Sequence, residues 1–139
     1  MGWIWLDGVE AFVKGKSVKA WKRWQSSFPS AYLIEMMAQA GAILLGAESN
    51  FQDDIVFTKI EKTEFLDQPK AGQRLEIEVH SDGLRREGGW FRGQVSHEGK
   101  RLLEGRVLLM NIGRLRPDGK GPITFPETLI EGLKEHVLQ

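Results

Sequence analysis

Hydrophobic residues change their spacing several times along this chain, and each change marks an element. From Gly8 to Trp24 they alternate with polar ones: Val9, Ala11 and Val13, then Val18, Ala20 and Trp24, around Lys14-Gly15-Lys16. A period of two predicts a pair of short strands joined by a tight turn. Phe28-Pro29 ends that pattern, because proline fixes its own backbone and disfavours helix at the residue before it. Residues 31–46 then carry Ala31, Leu33, Ile34, Met36, Met37, Ala38, Ala40, Ala42, Ile43, Leu44 and Leu45 with almost no polar face. That predicts a helix enclosed by protein, capped by Ser30 and stopped at Gly46. Small residues at Ala38, Ala40, Gly41 and Ala42 would let a sheet approach its axis closely.

Strands dominate the rest. Ile55 to Leu66 precedes Pro69. Gln73 to His80 sets Leu75, Ile77 and Val79 against Glu76, Glu78 and His80. Trp90–Val95 and Arg101–Asn111 flank a turn at His97-Glu98-Gly99-Lys100. One buried helix followed by so much strand predicts an α+β fold, a curved antiparallel sheet wrapped around a long central helix at about residues 30–46. The Pro117–Pro122 stretch is rich in glycine and proline. Phe125–Val137, capped by Thr124, reads as an amphipathic terminal helix through Leu129, Leu133 and Val137. The expected organisation is a single domain over 1–139, with its core at about 5–112 and an extension at 113–139.

At 139 residues, 41% hydrophobic and 27% charged, the composition is that of a globular protein able to bury a core. Nineteen basic residues balance nineteen acidic ones, which gives no nucleic-acid footprint. Lys14, Lys16, Lys19, Lys22 and Arg23 form the best basic patch, explained equally by a solvated hairpin edge and by docking of an acidic partner. No cysteine is present, which excludes disulfides and thiolate chemistry. The apolar run at 31–47 is too short and too polar for a membrane span. With no basic segment ahead of an apolar one near Met1, a cytoplasmic location is expected.

The candidate chemistry centres on Glu35. A carboxylate in so apolar a helix is costly unless it is paired or used. It reads either as a structural charge favoured near a helix N-terminus or as a functional acid or base. Gln39, one turn on, reads as a buried hydrogen-bonding strut, and Met36 and Met37 as core or tunnel wall. His80, His97 and His136 read as surface residues on a polar strand face, in a turn and in the tail. Trp3, Trp5, Trp21, Trp24 and Trp90 read as core packing.

The loop Trp24-Gln25-Ser26-Ser27-Phe28-Pro29, the helix segment Tyr32-Leu33-Ile34-Glu35-Met36-Met37-Ala38-Gln39 and the later stretch from Ile60 to Leu75 follow one another in a familiar order. Together they resemble the hotdog fold, and specifically the FabA/FabZ-type 3-hydroxyacyl-[acyl-carrier-protein] dehydratases. That family carries Phe-x-Gly-His-Phe-Pro, a helix of the form Leu-x-x-Glu-x-x-Ala-Gln, and Lys-x-x-x-x-Phe-x-x-Pro-Val-x-Pro-Gly-Asp-x-Leu. The resemblance spans roughly residues 5–112. Two departures stand out. Ser26-Ser27 replaces Gly-His, so Ser27 occupies the position of the catalytic histidine, and about six residues between Phe-Pro and the helix are missing.

The resemblance implies a protein of fatty-acid or acyl-thioester metabolism that takes 3-hydroxyacyl-acyl-carrier-protein or acyl-CoA substrates. It implies no metal and no cofactor. Glu35 would be the acid or base, with Trp24, Phe28, Pro29, Tyr32, Met36 and Gln39 lining the substrate. Trp24 and its neighbours could also fill the space left by the shortened loop and narrow the acyl tunnel. In the family the histidine and the carboxylate come from two subunits, so a homodimer is expected, or a heterodimer with an intact dehydratase subunit. General acid and base groups each contribute about 10²–10⁴-fold, and a serine hydroxyl has no useful basicity near neutral pH, so dehydration should be weak or lost. The alternatives are a hotdog acyl-thioesterase using Glu35 and a non-catalytic acyl-binding or partner subunit.

Overall fold

A computed structural model describes residues 6–113. Trp3, Trp5, His136 and the terminal helix expected at Phe125–Val137 lie outside the described residues. The element order is β1 (Gly8–Val13), β2 (Ser17–Arg23), α1 (Tyr32–Ala47), β3 (Ile55–Phe65), β4 (Arg74–Arg85), β5 (Gly88–His97) and β6 (Lys100–Asn111). The six strands form one sheet in the order β1-β2-β4-β5-β6-β3, every neighbouring pair antiparallel. The sheet packs on α1, which is the α+β hotdog architecture expected from the sequence.

Period-two strands supply one wall of the core. Leu75, Ile77 and Val79 of β4 are fully buried, as are Phe91 and Val95 of β5 and Leu103, Val107 and Leu109 of β6. On β2, Val18 and Ala20 face inward opposite Val79 and Ile77. The helix supplies the other wall, burying everything from Met36 to Ala47. Each large aliphatic or Met side chain enclosed this way contributes roughly 1.5–3 kcal/mol. The run of small residues does what its sizes suggest. A Cβ at Gly41 would lie 3.0 Å from Leu109 Cδ1 and 3.4 Å from Phe91 Cγ, so helix and sheet are in direct contact there.

Several local expectations are revised. On β1 the alternation at Val9, Ala11 and Val13 breaks at a bulge between Val9 and Ala11. The extra residue turns Phe12 into the core at 6% exposure and leaves Val13 half exposed. Ser30 does not cap α1: the N-cap is Ala31. The first helical donors, Tyr32 and Leu33 N–H, are met instead by the carbonyls of Pro29 and Ser30. The Ser30 hydroxyl donates to Gln68 Oε1 at 3.1 Å. Nor does Gly46 end the helix, which runs through Ala47. The Gly46 carbonyl accepts the Phe51 N–H at 2.8 Å, and the left-handed conformation falls on Asn50 and Phe51. Strand β4 runs beyond His80 to Arg85 and forms a hairpin with β5 across Arg86-Glu87. At the β5–β6 turn, Glu98 and Gly99 both take positive φ, as a two-residue hairpin turn requires.

Candidate functional site

Two stretches distant in sequence meet at the start of α1. The N–H of Trp24 donates to the Gln73 carbonyl, and the N–H of Gly72 donates back to Trp24. Gly72 sits at φ 86°, a conformation that favours glycine. The loop after β3 is therefore laced to the end of β2, and the Ser30–Gln68 bond adds a second tie. Between them a turn closed by Phe28 N–H to the Gln25 carbonyl carries the exposed Ser27 and leads through the exposed Pro29 straight into the helix.

Trp24, 5% exposed, belongs to the core. Its ring meets Phe28 nearly edge-on at 5.2 Å between centroids, and Phe28 meets Tyr32 at 5.3 Å. Lys22, bonded to Asp7 Oδ1 at 3.1 Å, also approaches the Phe28 ring, 5.8 Å from its centroid. This neighbour of the aromatic chain was missed at the sequence level. A strand residue six positions before Phe28 gives no signal of the contact, which the turn at Gln25–Phe28 creates.

Glu35 lies half-buried in the first turn of α1. Gln39, at 1% exposure, donates from Nε2 to Glu35 Oε1 at 3.3 Å. Met36 is fully buried in the core behind them. The structure thus brings Glu35 together with Gln39, and Trp24 with Phe28 and Tyr32, while Ser27 and Pro29 face solvent. His80 is half exposed on the outer face of β4, with Nε2 2.9 Å from Glu78 Oε1. His97 Nδ1 lies 3.1 Å from the Arg74 carbonyl. Neither bonds to Glu35.

Much of the basic patch is internally paired. Lys19 reaches Glu10 and Glu76, Lys22 pairs with Asp7, and the Arg23 guanidinium donates to the Gly72 carbonyl. A concavity of about 890 Å³ on the outer face of the sheet includes Glu78, His80, Asp82, Arg92 and Arg106 but not Glu35. Its ion pairs, Arg92–Asp82 and Arg106–Glu61 among them, already satisfy most of those charges. A smaller concavity of about 600 Å³ is lined by Trp24, Gln25 and Ser26 together with Lys22 and Gly72. Among the described residues no group of three or more His, Asp or Glu could hold a metal ion. None of their helices is long and apolar enough to cross a membrane.

No protein-family model matches the chain. Among characterised proteins it is similar to the 3-hydroxyacyl-[acyl-carrier-protein] dehydratase FabZ of Enterococcus faecalis, 29% identical over 119 residues, covering 76% of this chain and 84% of that protein. FabZ of Nitratiruptor sp. is 27% identical over 131 residues, covering 78% of this chain and 87% of that one. Among solved structures, the dehydratase heterocomplex ApeI:P from Xenorhabdus doucetiae superposes with a TM-score of 0.65 at 20% identity, covering 78% of this chain and 82% of that one. A hypothetical thioesterase from Streptococcus pneumoniae, solved with coenzyme A, superposes at 0.63 with 13% identity, over 76% of this chain and 85% of that one. A Streptococcus mutans protein bound to acetyl CoA gives 0.65 at 14% identity, over 78% and 90% respectively. The class is the hotdog fold shared by dehydratases and thioesterases. Within it the chain is similar in sequence to the FabZ-type dehydratases, at 29% and 27% identity to these two.

Proposed function

We propose that this protein binds acyl thioesters of the 3-hydroxyacyl-acyl-carrier-protein or acyl-CoA type, in the cytoplasm, with Glu35 as its reacting carboxylate. The observation that carries the reading is the half-buried Glu35 carboxylate, bonded to the buried Gln39 at the start of an otherwise apolar helix. A carboxylate placed in so apolar a helix is a candidate functional group. The FabZ homology supplies the substrate class. With Ser27 where the family carries histidine, dehydration is slow or lost.

A homodimer fits the same reading. Strand β3 is a sheet edge that exposes Phe57, Ile60 and Phe65, with Leu66 just beyond. An unpaired edge with exposed apolar side chains is a template for another strand. A pairing with a histidine-bearing dehydratase subunit would use the same edge, and the heterocomplex among the structural neighbours makes that the natural alternative partner.

The test follows two products separately. Purified protein is given 3-hydroxyacyl and acyl thioesters while enoyl formation and free thiol are measured. Enoyl product abolished by Glu35→Gln supports residual dehydratase chemistry. Thiol release with the same sensitivity moves the assignment to thioesterase, the second reading, which a lone helix carboxylate and the coenzyme A-bound neighbour favour. No product in either assay, with no saturable binding of acyl thioester, refutes the proposal.

A further inference from the structure

The polar side chains of α1 are three: Tyr32, Glu35 and Gln39. At 100° per residue these positions fall within about 60° of one another around the helix axis. They therefore form a single polar stripe on a helix that is apolar everywhere else. Glu35 and Gln39 are bonded along that stripe through Glu35 Oε1. Tyr32 lies one turn before Glu35 and is the only tyrosine in the chain. Residues three apart on a helix are neighbours, and helical side chains lean toward the N-terminus, so both groups are carried toward the Phe28-Pro29 turn. The Tyr32 ring is held there by its contact with Phe28.

We propose that the Tyr32 hydroxyl is the second reacting group of the site, supplying a proton in a site where Ser27 replaces the family's histidine. The inference rests on the acyl-thioester reading above. In the step proposed, the Glu35 carboxylate takes a proton from carbon 2 of a 3-hydroxyacyl thioester. The electron pair of that C–H bond forms the C2–C3 double bond as the C3–O bond breaks. The departing oxygen takes its pair and the phenolic proton of Tyr32 and leaves as water. The proton held on Glu35 then returns to the Tyr32 phenolate, restoring both groups, and the net products are enoyl thioester and water. A phenol is a weak general acid, so the rate should fall below that of a histidine-bearing dehydratase.

The test compares wild type, Tyr32→Phe and Glu35→Gln on 3-hydroxybutyryl-CoA, with butyryl-CoA as a ligand that cannot be dehydrated. Tyr32→Phe keeps the ring against Phe28 and removes only the hydroxyl. Its kcat should fall about 10- to 100-fold, within the span of one general acid, while its affinity for butyryl-CoA and its melting temperature stay at the wild-type values. Wild-type turnover in Tyr32→Phe refutes the role of the hydroxyl and leaves the thioester reading intact. Parallel losses of rate and of butyryl-CoA affinity make Tyr32 a packing residue and overturn the proposal as well. Absence of enoyl product in wild type itself, with butyryl-CoA still bound, removes the step and leaves only binding.

Discussion

Gly93 on β5 packs tightly against α1, and it makes a sharp prediction. A Cβ built there would lie 2.5 Å from Met37 Cγ, 2.6 Å from Met37 Sδ and 3.1 Å from Val79 Cγ2. Carbon atoms in contact rest at about 3.5–4.0 Å, so Gly93→Ala creates an overlap of roughly 1 Å against a fully packed Met. Overpacking of that kind costs about 1–3 kcal/mol, which lowers Tm by about 4–12 °C in a domain of this size. Met37→Ala alone leaves a cavity where a fully buried side chain stood and costs about 2–5 kcal/mol. In the double variant the added methyl group enters the space that Met37 vacated. Its destabilisation should therefore fall short of the sum of the single variants by at least about 1 kcal/mol. Urea unfolding followed by tryptophan fluorescence measures all four proteins. Strict additivity, or a neutral Gly93→Ala, would show that helix and strand do not meet as described.

Trp24→Ala removes a ring buried at 5% exposure and should destabilise by about 3–5 kcal/mol in thermal melts. Phe12→Ala should cost a similar amount, whereas Ala11→Ser, on the solvent side of the β1 bulge, should stay within about 0.5 kcal/mol. Ile60→Lys with Phe65→Lys places charge on the β3 edge, and light scattering should show dimer turning to monomer; an unchanged mass counts against pairing at that edge. The Asp67 carboxyl is held below the usual range by its hydrogen bond to Lys100, 2.5 Å away, and by the Gln68 N–H. A depressed folded pKa stabilises above the unfolded value, and the contribution fades as pH falls through the folded one. An NMR titration of Asp67 should move toward the ordinary carboxylate value in Lys100→Gln, and no movement would remove Lys100 as the cause.

Much of the fold was readable in the residues. Alternation at Leu75, Ile77 and Val79, and the unbroken apolar run of α1, each define a buried face from spacing alone, because strand and helix geometry set those periods locally. Glu35 stood out for the same reason: a charge inside an apolar run is visible without coordinates. Features set by partners were not readable. The β1 bulge that buries Phe12 depends on the register with β2, and Ser30 forgoes its cap because Gln68, far along the chain, takes its hydroxyl. Nor could spacing reveal that Trp24, Phe28 and Tyr32 would meet in one aromatic chain, since a turn of non-repeating geometry places them. The sequence by itself determined the element types and the carboxylate on the helix, which follow from short-range periodicity. Tertiary structure decided which groups stand beside that carboxylate, because those contacts join residues whose separation along the chain carries no period.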